Sequence, residues 1–120
     1  MISQILHVTV PVKDQDKALK FYTEKLGFTV GVDVSFGPQR WIELKIPGAE
    51  THVVLFTPEG HEDRIGTSSP VIFTCADVRK TYEQLLKKGV DFVHPPKEEP
   101  WGIYTLFKDI DGNTFCLSST

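Results

Sequence analysis

The 120-residue chain is written twice. One order of signals runs from His7 to Val34 and returns from Pro70 to Val93: strand, acidic helix start, amphipathic helix, glycine stop, strand. Asp14 and Gly27 bracket the first helix, and Asp77 and Gly89 bracket the second, 63 and 62 residues further on. Such a repeat constrains the fold more than any single element, because each copy is one supersecondary unit that cannot bury all its apolar surface alone. A sheet roofed on one face by its own helix leaves the other face open, and the sequence predicts function on that second face.

The hydrophobic period marks the elements. Leu6, Val8, Val10 and Val12 alternate across Ile5 to Val12, a strand with one buried face that Pro11 makes either short or an edge strand. From Asp14 the period turns helical, with Ala18, Leu19, Phe21, Tyr22 and Leu26 in a stripe. Asp14 or Asp16 can accept from the orphan amides at its start, and Gly27 supplies a left-handed stop. Alternation resumes at Phe28, Val30, Val32, Val34 and Phe36; Gly37-Pro38 turns the chain; Arg40 to Ile46 and His52 to Phe56 complete a β-α-β-β-β module over about residues 1–57. Residues 58–69, rich in Gly, Ser and charge, read as a linker. Module two, about 70–120, repeats the order with strands at Val71–Cys75, Val90–Val93, Ile103–Lys108 and Thr114–Ser118 and a helix from Asp77 to Lys88. His94 to Pro100 carries three prolines and is expected to be a loop, since proline withholds a ladder donor.

The predicted fold class is therefore α+β: two βαβββ modules forming a curved mixed sheet around an inter-module cup, helices outside, in one domain over 1–120. Composition narrows the partners. The net charge of −3 and the scattered Lys and Arg residues offer no basic stripe for nucleic acid. The N-terminal apolar run alternates like a strand and has no basic residue before it, which argues against a leader or a spanning helix and for a cytoplasmic protein without a membrane partner. Cys75 and Cys116 lack C-x-x-C spacing and are expected to be free and reduced.

Strand parity assigns faces. If the apolar row of each strand lies under the helix, the alternate row points into the cup. That inner row is Ile5, His7 and Thr9; Trp41 and Glu43; His52, Val54 and Phe56; then Pro70, Ile72 and Thr74; Tyr104 and Leu106; Thr114, Cys116 and Ser118. A mostly apolar surface with a few polar groups is how small-molecule sites are built.

Several segments resemble a known superfamily. They are His7-Val8-Thr9-Val10 followed by Asp14, the run Ala18 to Phe28 with Phe21-Tyr22 and Leu26-Gly27-Phe28, and Phe107-Lys108-Asp109-Ile110-Asp111-Gly112-Asn113. They look like the glyoxalase, bleomycin-resistance and extradiol-dioxygenase (vicinal oxygen chelate) superfamily, over nearly the whole chain. Arg40-Trp41 and Glu98-Glu99-Pro100-Trp101-Gly102 are similar to a bacterial glyoxalase-like subgroup. The resemblance implies a homodimer and, in the enzymes, a divalent metal held by His or Glu on the inner rows of the first and last strands of each module. Carried over, those positions fall on His7, about Val54, Pro70 and Cys116, so one of four keeps an ordinary ligand. That deficit argues against the usual metal chemistry. A displaced site is the alternative, with His7, Glu43, His52 and Cys116 converging; two imidazoles and a carboxylate suit zinc or non-haem iron.

Further candidates sit on the same rows. Trp41, Phe56, Trp101 and Tyr104 offer aromatic walls for a flat ligand, with Cys116 beside them. Glu43 on an apolar face is expected to have a raised pKa and to serve as a general base, against the plainer expectation of an ion pair with Arg40 or Lys45. His61 and His94 read as surface loop residues. Two functions follow. One is a small-molecule-binding protein with a degenerate metal site, in the manner of the bleomycin-resistance branch. The other is a metal-dependent lyase, isomerase or dioxygenase of the glyoxalase type.

Overall fold

The structure, a computed structural model, describes residues 1–119 and divides into two compact units, Met1–Ile65 and Gly66–Thr120. The fold is α+β, and the described residues form two α-helices and two mixed sheets of four and five strands.

Unit 1 contains β1 (His7–Pro11), α1 (Gln15–Glu24), β2 (Thr29–Phe36), β3 (Gln39–Lys45) and β4 (His52–Phe56). The sheet order is β1-β4-β3-β2, with β1 parallel to β4 and the other pairs antiparallel. Asp14 starts α1 from extended backbone, its carboxylate accepting the Lys17 N–H at 3.1 Å. Gly27, at φ 77°, ends it as the Phe28 N–H donates back to the Tyr22 carbonyl. The helix buries Ala18, Phe21 and Tyr22. Val10, Ile42, Leu44, Val53 and Leu55 fill the facing side of the sheet, each fully buried side chain worth about 1.5–3 kcal/mol. Asp16 is not the cap. It pairs with Arg40 at 2.6 Å, and Arg40 also holds Asp33 through two hydrogen bonds of 2.9 and 2.8 Å.

Two sequence expectations in this unit need correction. The first strand starts at His7, and Ile5 and Leu6 lie ahead of it at 68% and 59% exposure. The row from Phe28 to Phe36 does not stay on one face. Val30 lies opposite Leu44 and Val32 opposite Glu43, so one extra residue, Gly31, enters β2 and reverses the parity. A β-carbon on Gly31 would meet the Lys45 side chain at 3.1 Å and the Glu43 carbonyl at 3.4 Å. Beyond this bulge Val32, Val34 and Phe36 share a face with Glu43 and Trp41, and Val34 and Phe36 are exposed.

Unit 2 contains β5 (Ser68–Thr74), α2 (Val78–Lys87), β6 (Asp91–Phe92), β7 (Lys97–Glu99), β8 (Gly102–Lys108) and β9 (Thr114–Ser118). Its order is β5-β9-β8-β6, and β7 pairs with β8. The repeat of local signals holds: the Asp77 carboxylate accepts the Lys80 N–H at 3.1 Å, and Gly89, at φ 86°, follows the helix. Phe73, Phe92, Phe107 and Phe115 interlock, with Tyr82 of α2 edge-on to Phe92 at 4.6 Å.

Here too the boundaries shift. The segment expected to be a loop holds β7, because Lys97, Glu98 and Glu99 lie between Pro96 and Pro100, are not prolines themselves, and pair with Tyr104, Ile103 and Gly102. The expected linker is shorter than composition suggests: Glu62–Arg64 form a 3-10 turn, and Ser68 and Ser69 already belong to β5. The strand after α2 is confined to Asp91 and Phe92.

The Asp109 to Asn113 run has a structural explanation. Asp109 is buried, its Oδ1 accepting the amides of Asp111 and Asn113 and its Oδ2 accepting Asn113 Nδ2–H, all at 2.9 Å. Asn113 Oδ1 then accepts the Gly66 N–H at 2.8 Å, which ties the start of the unit to its last turn. This motif builds the turn between β8 and β9.

Candidate functional site

The register of unit 1 collects the predicted residues on one face. His7 is paired with His52, Thr9 with Val54, and Val54 with Glu43; Trp41 lies two residues before Glu43 on β3, and Phe56 two after Val54 on β4. Val54 is buried, while His7, Trp41, Glu43, His52 and Phe56 are half-buried.

Glu43 is the centre of this group. Its Oε2 accepts the indole Nε1–H of Trp41 at 2.7 Å. Its Oε1 lies 3.4 Å from His52 Nδ1 and 3.8 Å from His7 Nε2. The His7 ring stacks on that of His52, with centroids 5.9 Å apart, and meets the edge of Trp41 at 6.0 Å. The Trp41 hydrogen bond, with the nearby His52 and His7 rings, holds the Glu43 carboxyl below its ordinary pKa despite burial. The expected raised pKa is thus reversed, because an N–H donor stabilises the anion more than desolvation opposes it. The plainer expectation of an ion pair with Arg40 also fails, since Arg40 has the parity of Ile42 and points its guanidinium to Asp33 and Asp16.

The donor set can be tested for a metal. One nitrogen from each of His7 and His52 and one oxygen of Glu43 all lie within 4.8 Å of one another. Ligand atoms bound to zinc at ~2.0–2.1 Å in a tetrahedron are separated by about 3.3–3.4 Å, close to the 3.4 and 3.8 Å found here. The residues fit a divalent transition metal. His7 Nδ1 is buried and has no hydrogen-bond partner among the described residues, so ring packing against Trp41 and His52 sets its orientation.

Around this polar centre the face is mostly apolar, with Thr9 and Gln39 as polar exceptions. Val32 and Val34 come from β2, Val54 and Phe56 from β4, and the Arg64 guanidinium lies 5.7 Å above the Phe56 ring. The β2 contribution escapes the period rule because the bulge hides it. A cavity of about 340 Å³ also lies in unit 1, but it is lined by Gln15, Gln39, Arg40, Glu59 and Glu62 among others and includes none of the Glu43 group.

In unit 2 most of the predicted row is on one face, with Ile72 and Leu106 both opposite Cys116 and Tyr104 and Thr74 both opposite Ser118, while Pro70 falls in the register break of β5 between Ser68 and Ile72. Trp101 is 55% exposed and stacks on Tyr104 at 5.5 Å, and His94 meets Tyr104 edge-on at 5.4 Å. His94 is therefore part of an aromatic cluster and not merely a surface residue. Burial pushes the Cys116 thiol up, away from nucleophilic thiolate character. Cys75 and Cys116 are both free.

Comparison with known proteins agrees with this architecture. The family model for the Glyoxalase/Bleomycin resistance protein/Dioxygenase superfamily matches residues 4–117, and the chain belongs to that superfamily. It is 40% identical over 118 residues to the uncharacterized protein YetH of Bacillus subtilis (strain 168), covering 98% of both chains. A superfamily member from Sphaerobacter thermophilus DSM 20745 has a solved structure 36% identical, with TM-score 0.90 over 98% of this chain and 97% of that one. TnmS3, an antibiotic binding protein from Streptomyces sp. CB03234, is 33% identical, with TM-score 0.85 over 98% and 95%.

Proposed function

We propose that the protein binds a small molecule, a flat aromatic or amphiphilic compound, against the unit 1 face that carries His7, Trp41, Glu43, His52 and Phe56. The observation that carries this reading is the Trp41–Glu43 pair: an indole ring fixed by its own N–H beside an ionised carboxylate, within a mostly apolar face. Such a surface stacks a ring and orients one polar or cationic group. The likeness to an antibiotic binding protein at 33% identity supports the same class. Trp101, Tyr104 and Cys116 are proposed as a second ligand-contacting surface, in unit 2. No helix among the described residues is long and apolar enough to cross a membrane. A cytoplasmic location and a homodimeric state are part of the same proposal.

The test is a compound library read by tryptophan fluorescence on Trp101→Phe, in which Trp41 is the remaining reporter. Saturable quenching by aromatic compounds is expected, and silence across the library would overturn the proposal. A second reading, a metal-dependent lyase, isomerase or dioxygenase of the glyoxalase type, is favoured by the His7, Glu43 and His52 donor set. Turnover of hemithioacetal or catechol substrates only with added metal would support it, with the metal polarising substrate oxygens.

A further inference from the structure

We propose that Trp41 is a positioning residue for a divalent-metal site built by unit 1 alone: its indole N–H engages Glu43 Oε2 and leaves Oε1 as a single-oxygen ligand beside His7 Nε2 and His52 Nδ1. This rests on the second reading only in so far as a metal binds, and on no substrate or small molecule. Three observations carry it.

The two oxygens of Glu43 are divided between partners. Oε2 takes the short 2.7 Å bond from Trp41, whereas both imidazole nitrogens approach Oε1, at 3.4 and 3.8 Å. A carboxylate held in this way presents one oxygen to the imidazoles and cannot swing to chelate through both. All three donors come from adjacent strands of one sheet, β1, β4 and β3, so their spacing is fixed by backbone hydrogen bonds and not by a loop. The separations of 3.4 and 3.8 Å are close to those around a bound zinc ion, and two imidazoles with one carboxylate leave coordination positions open. The Trp41 ring edge also packs on His7, whose Nδ1 has no acceptor among the described residues to orient it, so one indole braces two of the three donors.

Partners of this kind tune affinity as well as orientation, and their loss typically costs 10–100-fold in metal binding. Metal-free protein, prepared by chelation and dialysis, is titrated with Co²⁺ and followed by visible absorption and calorimetry. Wild type is expected to bind one Co²⁺ per chain with a ligand-field spectrum, and Glu43→Gln and His52→Ala to lose it. Trp41→Phe keeps the ring but removes the donor; it is expected to bind about 10–100-fold more weakly and with altered band positions, since a freed carboxylate changes its coordination mode. An unchanged affinity and spectrum in Trp41→Phe would overturn the proposal, as would no Co²⁺ uptake by wild type. Should Trp41→Phe fail to fold by circular dichroism, the Trp41 Nε1–H signal of wild type serves instead. On Zn²⁺ addition it is expected to shift and to exchange more slowly with solvent; an unmoved signal would overturn the role. Protein that binds no metal yet still quenches with aromatic compounds would overturn this inference and leave the small-molecule reading standing.

Discussion

The Trp41 indole N–H donates to Glu43 Oε2 across 2.7 Å, between two residues on the same face of one strand. This bond decides the chemical character of the site. It is the largest influence on the Glu43 carboxyl, and with the nearby His52 and His7 rings it holds the pKa below its ordinary value against burial.

The sign of that shift sets a pH dependence. A carboxyl with its folded pKa below the unfolded value of 4.5 stabilises the fold fully above that value, and the contribution is lost as pH falls through the folded pKa. Urea unfolding of wild type and Glu43→Gln is expected to show the largest stability difference near pH 6–7, narrowing steadily below the unfolded value. A difference that stays constant from neutral to acid pH would contradict the assignment.

Asp109 is expected to be among the most sensitive polar positions. It accepts three hydrogen bonds while buried, and Asp109→Ala leaves buried donors unpaired, at about 2–3 kcal/mol. Chemical denaturation reads this directly, and a loss below ~0.5 kcal/mol would show that the turn does not depend on its carboxylate.

Gly66 and Gly27 separate two costs of a β-carbon. Both have positive φ, 81° and 77°, where an L side chain costs about 1–2 kcal/mol. At Gly27 nothing lies within 4 Å of the added carbon, but at Gly66 the Asp111 carbonyl oxygen lies at 3.1 Å. Gly66→Ala is therefore expected to lower the melting temperature more than Gly27→Ala, and the reverse order would contradict the packing around the Asp109 turn.

The paired caps give a test of the repeat itself. Asp14→Ala and Asp77→Ala each remove one side-chain acceptor from a helix start, at about 1 kcal/mol apiece. Because the caps lie on different helices and share no partner, the double variant is expected to show the sum in equilibrium unfolding.

How far the sequence carried this account depends on how local each signal is. Asp14 with Gly27 and Asp77 with Gly89 are complete within a helix, so both modules and their α+β class are legible without coordinates. Strand parity places His7, Trp41, Glu43 and His52 on one face for the same reason. What fails depends on neighbours in space. Gly31 reverses β2 because it stands as an extra residue between the pairs Val30–Leu44 and Val32–Glu43, and no period rule sees a partner strand. Pro95, Pro96 and Pro100 announce a loop, yet three residues between them pair with β8. The i, i+2 spacing of Trp41 and Glu43 shows that they share a face. That the indole N–H reaches the carboxylate, and so reverses its pKa shift, depends on rotamers that spacing does not specify.

The most direct measurement follows the indole Nε1–H signal of Trp41 in ¹H–¹⁵N spectra during titration with an aromatic compound that quenches the Trp101→Phe protein. This signal is expected to move and saturate together with the amides of Glu43, His52 and Val54. Saturable binding that leaves the Trp41 signal and those amides in place would contradict it, and would put the ligand on another surface.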